Sequence, residues 1–229
     1  MRPISKTTRT NDDGSPLTFT KWGDAKIELQ KELGSYCSFC ERVGYSSSLD
    51  VEHILAKGLP KYAHLIYRWD NFLLGCKNCN PTKGMKDFDI NDTYMPHLNN
   101  LLCFIEVSDG GTLKIKAGLR EDDHRRTMNF INLIGLDRDP AHTHYSNKDD
   151  RWTKRMEAWD KAVDFRSDYH NQKIRLERIM DMALLSGYWS VWMTVFNRYP
   201  EVKAELISRF GGTDATCFDN DFNAIRRDL

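Results

Sequence analysis

What this chain lacks most plainly is charge of one sign. Its 229 residues hold 33 basic and 33 acidic side chains, a formal net charge of zero, so no overall field draws it to a polyanion. Any such site must be built locally. It also lacks an apolar run approaching the roughly 20 residues that cross a bilayer. The opening stretch, MRPISKTTRTNDDG, has no apolar segment of the secretory kind. Internal repeats and low-complexity tracts are absent too. Together these absences predict a cytoplasmic protein that makes no membrane contact. In a reducing compartment the six cysteines, two CxxC pairs and two singletons, are expected as metal ligands and core thiols instead of disulfides.

What is present suffices for a folded core: 40% of residues are apolar and 11% aromatic. An α+β fold in three segments is expected. Residues 1–34 read as a polar arm or partly ordered tail, with Pro3, Gly14 and Pro16, then a helix from Phe19 to Leu33 ending at Gly34. Residues 35–117 are dense in Cys, His, Asn and Gly, and the runs LDVEHIL and WDNFLLG suit short strands. In the same segment NNLLCFIEV and GTLKIKA flank Ser108-Asp109-Gly110-Gly111, which predicts an adjoining β-hairpin. Residues 118–229 turn helical. Met128, Ile131 and Ile134, then Trp152, Met156, Trp159 and Val163, then Ile174 to Leu184, recur three or four apart, and YWSVWMTVF precedes Tyr199-Pro200.

Cys37-Ser-Phe-Cys40 and Cys76-Lys-Asn-Cys79 are separated by 35 residues. Each CxxC turn presents two thiolates from one side, so two turns complete a tetrahedral zinc site with no open position for chemistry. Such a site clamps the ends of the intervening segment. An iron–sulfur cluster, a redox dithiol and unrelated core cysteines are the competing readings. Cys103 and Cys217 lie in apolar surroundings and read as buried thiols.

Between the two pairs, Glu52 and His53 are neighbours on a strand-like run. Strand neighbours face opposite ways, which predicts a frayed end or a bulge if the two act together. The imidazole suits proton transfer and the carboxylate a hard divalent cation. The plain alternative is a surface charge beside a hydrogen-bonded structural histidine. Asn71 and Asn80 change that weighing. Asn80-Pro81 reads as the N-cap and first residue of a short helix. Yet the Asn80 carbonyl oxygen is also a good hard-metal ligand, and Lys83, one turn on, would point towards a phosphate.

Taken in order, the CxxC, acidic-His pair, asparagine, CxxCN and lysine between Tyr36 and Lys86 resemble the HNH endonucleases of the ββα-metal fold, in the subgroup stapled by a four-cysteine zinc. The resemblance implies His53 as general base, with Glu52 and Asn80 holding a catalytic magnesium for which manganese can substitute. It implies Asn71 as the residue that orients the loop and the base. Most members of that family carry aspartate where this chain has Glu52. Across residues 51–90, six basic side chains against four acidic ones leave a local excess of +2. Lys57, Lys83 and Lys86 are the candidate contacts to a nucleic-acid backbone.

More narrowly, MRPI, YCSFCE, VEHI, WDNFLLGC, CNPTKG and IGLDRDP resemble the HNH-subunit family of Septu anti-phage defence systems, PtuB, with relatives beside retrons. That resemblance implies an effector acting on phage DNA with an SMC-like or ABC-type ATPase, PtuA; since one such site cuts one strand, a double-strand break takes two copies in the complex or two encounters. RNA cleavage, as in the retron relatives, is one alternative. A non-catalytic, zinc-stabilised nucleic-acid-binding or adaptor module is the alternative from another class. The aromatic helical half reads as core, or in part as a surface that docks the ATPase. His142 and His144 read as an exposed loop or a second metal site.

Overall fold

Two five-residue strands, β1 (Leu49–His53) and β2 (Phe72–Cys76), pair antiparallel, with Glu52 opposite Leu73 and His53 opposite Phe72. Side-chain alternation then puts Glu52 and Gly75 on one face and His53, Phe72 and Leu74 on the other. The helix α1 (Ala25–Leu33) packs against both strands, and the short α2 (Cys79–Lys83) follows β2 and packs back on it. This structure is a computed structural model, and it describes residues 1–227. A second two-stranded sheet, β3 (Ile105–Ser108) and β4 (Thr112–Ile115), turns through Asp109–Gly111. The chain ends in α3 (Glu121–Ile134), α4 (Arg151–His170), α5 (Leu176–Ser186), α6 (Trp189–Val195) and α7 (Pro200–Arg209). The fold is mixed α+β, with strands, hairpin and helices close to where the sequence predicts them.

Three differences have physical causes. The first helix starts at Ala25, because Trp22–Asp24 form a separate 3₁₀ turn. Tyr199-Pro200, which the sequence places after the apolar run YWSVWMTVF, opens a further helix, α7: proline has no amide hydrogen to lose in a first turn. The predicted arm is not loose. Met1, Arg2 and Ile4 are buried, and the Arg2 guanidinium donates to the carbonyls of Leu33 at 2.9 Å and Phe210 at 3.2 Å. One side chain thereby satisfies carbonyls left over at the ends of both α1 and α7.

One hydrophobic core runs from Met1 to Phe218 and takes in all three segments. Tyr188, Trp189, Val191, Trp192, Val195 and Phe196 belong to it. The predicted stripe on α4 is displaced: its buried line is Arg151, Arg155, Ala158 and Ala162, while Trp152, Met156, Trp159 and Val163 are half-buried. The cause is a close approach. A Cβ on Gly111, which sits at φ +70°, would fall 2.7 Å from the Met156 amide nitrogen, so the turn before β4 lies directly on the α4 backbone. Among the described residues no helix is long and apolar enough to cross a membrane.

Candidate metal centre and active site

The Sγ atoms of Cys37, Cys40, Cys76 and Cys79 lie within 4.8 Å of one another, all four residues buried. Cys40 and Cys76 are 3.7 Å apart. A tetrahedral zinc with bonds of about 2.3 Å has sulfur–sulfur edges of about 3.8 Å, so the spacing fits one ion. The surrounding donors fit thiolates: the amides of Cys76 and Cys79 point at the Cys37 and Cys76 sulfurs at 3.4 Å. Arg151 Nη1, from α4, lies 3.2 Å from Cys79 Sγ. The cluster could therefore hold a structural metal such as zinc. Four thiolates around a divalent ion leave two negative charges, which the buried Arg151 and Arg155 partly offset. Cys217 is buried as expected and Cys103 only half-buried; neither joins the cluster.

Glu52 leaves β1 towards α2. Lys83 Nζ sits 2.8 Å from Glu52 Oε1 and donates to the His53 carbonyl at 2.7 Å. Lys83 is 0% exposed, so it is not a contact for a nucleic-acid backbone. Packing α2 on the hairpin submerges that side of the helix, and a submerged ammonium must be paired. Burial pushes the Glu52 carboxyl up, and the Lys83 charge opposes the push. Asn80 is not the helix cap either. The helix begins at Cys79 with Asn78 before it, and the Thr82 hydroxyl closes on the Asn78 carbonyl at 2.7 Å. Among the described residues the Asn80 amide makes no hydrogen bond. A Cβ on Gly75 would lie 3.0 Å from the Glu52 Cβ and 3.4 Å from the Asn80 Cβ, so those two side chains flank one bare Cα. One carboxylate and one amide oxygen are a sufficient protein share for magnesium, which keeps several waters and takes phosphate oxygens.

His53 is the last residue of β1, in continuous register and without a bulge. Its ring packs edge-on against Phe72 at 5.1 Å and against Trp22 at 6.0 Å between centroids. Nε2 lies 2.9 Å from the Ile66 carbonyl. A carbonyl only accepts, so Nε2 carries the hydrogen and Nδ1 the lone pair. Among the described residues Nδ1 has no partner, and it is not sealed from solvent. Burial lowers the imidazole below its ordinary value, which keeps it neutral at pH 7. The Asn71 side chain accepts from the Leu55 amide at 2.9 Å and donates to the carbonyls of Leu55 and Leu65 at 3.1 and 3.3 Å. It pins both ends of the loop that runs from His53 to Ile66.

The structure thus brings Glu52, Asn80 and Lys83 together, while the His53 ring contacts Trp22, Phe72 and the Ile66 carbonyl on the opposite face of the hairpin. The local positive excess is largely neutralised. Lys61 pairs with Asp87 and Lys77 with Asp50, both at 2.6 Å, and Arg68 with Asp70. Lys86 donates to the α3 carbonyls of Leu133 and Asn132 at 3.1 and 3.4 Å. Lys57 alone of the three candidate lysines is exposed without such a partner, its ammonium 3.6 Å over the Trp22 ring. His142 and His144 lie on a loop, and the four cysteines form the metal-type cluster found among the described residues.

Sequence reasoning missed Trp22, Glu41 and Arg151. Buried Glu41 accepts from the Ser190 amide and hydroxyl at 2.9 and 2.6 Å and from the Arg2 amide, tying the first CxxC turn to the start of α6 and to the N-terminal segment. An acid directly after CSFC was its one visible signal. No family model, curated protein or solved structure matches the chain.

Proposed function

We propose that the chain is a metal-dependent endonuclease of the HNH type that hydrolyses nucleic-acid phosphodiesters. The observation that carries this reading is the strand-strand-helix unit of β1, β2 and α2. A clamp of four cysteines sits at its base, Glu52 and Asn80 flank Gly75, and the neutral His53 ends β1 with Nδ1 free and its ring on the other face, so the reaction requires the phosphate to lie across the end of the strand. His53 takes a proton from water through Nδ1, and the Ile66 carbonyl fixes the ring for that task. Asn71 holds the loop that carries the carbonyl. Glu52 and Asn80 would hold magnesium, which when bound supplies charge stabilisation at the phosphate and the leaving 3′-oxygen. Lys83 keeps Glu52 ionised from below by occupying Oε1.

The partner and substrate extend this reading. The resemblance to the Septu subunit supports an SMC-like ATPase partner and phage DNA as target. The near-neutral surface around the site fits a nuclease delivered by a partner rather than one that captures DNA alone. The test uses the full chain, alone and with that ATPase, on supercoiled phage DNA and on RNA with magnesium. His53→Ala is expected to abolish nicking while zinc content and circular dichroism stay unchanged. Equal cleavage by wild type and variant, or none on either nucleic acid, rules the reading out.

One observation favours a second reading, a zinc-stabilised module without catalysis. Glu52 is 5% exposed and already paired with Lys83, which is also how a purely structural acid behaves. The same experiment separates the two.

A further inference from the structure

We propose that an arginine-lined pocket, separate from the Glu52–His53–Asn80 site, binds a phosphate-bearing ligand. The cavity, about 550 Å³, lies where the start of α3 meets the C-terminal segment. Arg120, Arg126, Arg226 and Arg227 line it, with the carboxamides of Asn91 and Asn99. Among the described residues no carboxylate lines it. In a chain of zero net charge, four guanidinium groups converging on one concavity are a local field of the kind a polyanion needs.

The acids that hold these arginines stand behind the wall. Asp123 is 0% exposed, and its carboxylate receives Arg226 at 2.7 Å, Arg120 at 3.0 Å and the Tyr94 hydroxyl at 2.6 Å. One buried acid therefore orients two guanidinium groups and neutralises only one. Arg227 pairs with Asp214 at 2.9 Å. Stacking orients Arg126, 4.2 Å over the Tyr94 ring, and adds to the hold on Arg226, 5.0 Å over Phe104, and those two rings stack at 4.3 Å. Arg126 is the least satisfied. Among the described residues its Nε is buried with no hydrogen-bond partner, and its nearest carboxylate, on Asp122, is 3.9 Å away. The Arg126 Nη edge, with no carboxylate at hydrogen-bond distance among the described residues, stands beside other fixed forks and matches phosphate oxygens, which arginine takes in pairs. Tyr94 and Phe104 are themselves buried, so the pocket offers charge and hydrogen bonds but no face for a base. It recognises the phosphate part of its ligand, whether a nucleoside polyphosphate or a strand backbone.

The test is calorimetry on the full chain with inorganic tripolyphosphate, ATP without metal, and a short single-stranded DNA, using sulfate at matched ionic strength as control. Binding of tripolyphosphate or ATP alone identifies a small polyphosphate ligand; binding of the oligonucleotide as well identifies a backbone contact. Either supports the site provided Arg126→Gln weakens it about tenfold or more, the loss expected for one charged hydrogen bond. Asn91→Asp, which puts a carboxylate on an exposed part of the wall, gives an independent loss if Arg126→Gln disturbs folding. Asn80→Ala, which removes a proposed ligand of the hydrolytic centre, leaves this binding unchanged, so failure of one site is distinguishable from failure of the other. No binding of any phosphate probe, or equal affinity in wild type and both arginine-pocket variants, overturns the proposal.

Discussion

Lys83 shows how far a single residue departs from its apparent role. Its spacing suggested a phosphate contact, but the helix that carries it packs inward, and the ammonium ends on Glu52 and the His53 carbonyl. Lys83→Met should lower stability by about 3–5 kcal/mol in urea unfolding, because it strands a buried carboxylate. Lys83→Met with Glu52→Leu should recover most of that loss. The residues proposed for a hydrolytic centre stand out in the sequence because their types announce their chemistry. Their burial was not legible, since sequence spacing does not say which side of a five-residue helix meets the sheet. His53 carries a pH prediction. Burial lowers its ordinary value of about 6.5, so its base form persists to lower pH, and the acid limb of the cleavage profile should fall below that value. An acid limb above it would point to another base.

At the scale of elements, the hairpin and α2 depend on one glycine. Gly75 is bare where Glu52 and Asn80 rise, and Gly75→Ala places a methyl 3.0 Å from the Glu52 Cβ. That variant should fold with its zinc and lose most metal-dependent cleavage, measured beside zinc content. Asn71→Ala removes three hydrogen bonds to the loop and leaves the Leu55 amide unpaired, a cost of about 1–3 kcal/mol in unfolding experiments. Periodicity located α3 to α6, yet it put the buried line of α4 one residue off. The pattern counts apolar residues, whereas the inner face of this helix holds two arginines and two alanines to meet a thiolate cluster and a close turn. The N-terminal arm was misread for a similar reason: its Arg2 looks like a surface residue until the helix ends it joins are known.

For the whole molecule, the boundary near residue 118 is not a seam. Arg151 reaches from α4 to Cys79, Arg42 pairs with Asp150, and one core spans the chain. A fragment of residues 1–117 should therefore be insoluble or lack cooperative unfolding even with zinc supplied. A soluble, zinc-loaded fragment would show that the helical half is dispensable to the metal unit. Acid sensitivity is a second global property. Burial holds His97 down to about 3, so below its unfolded value of about 6.5 the unfolded state binds the extra proton and stability falls as pH falls. His97→Leu should flatten that decline between about pH 6 and 4.

As proposed, a sulfur-held ion positions a second, oxygen-ligated ion site. Manganese titration of the zinc-loaded chain, followed by electron paramagnetic resonance, tests it most directly. One bound manganese per chain is expected, displaced by magnesium, lost in Glu52→Gln and weakened in Asn80→Ala with zinc retained. Manganese binding indifferent to both substitutions, or none at all in the zinc-loaded protein, would contradict it.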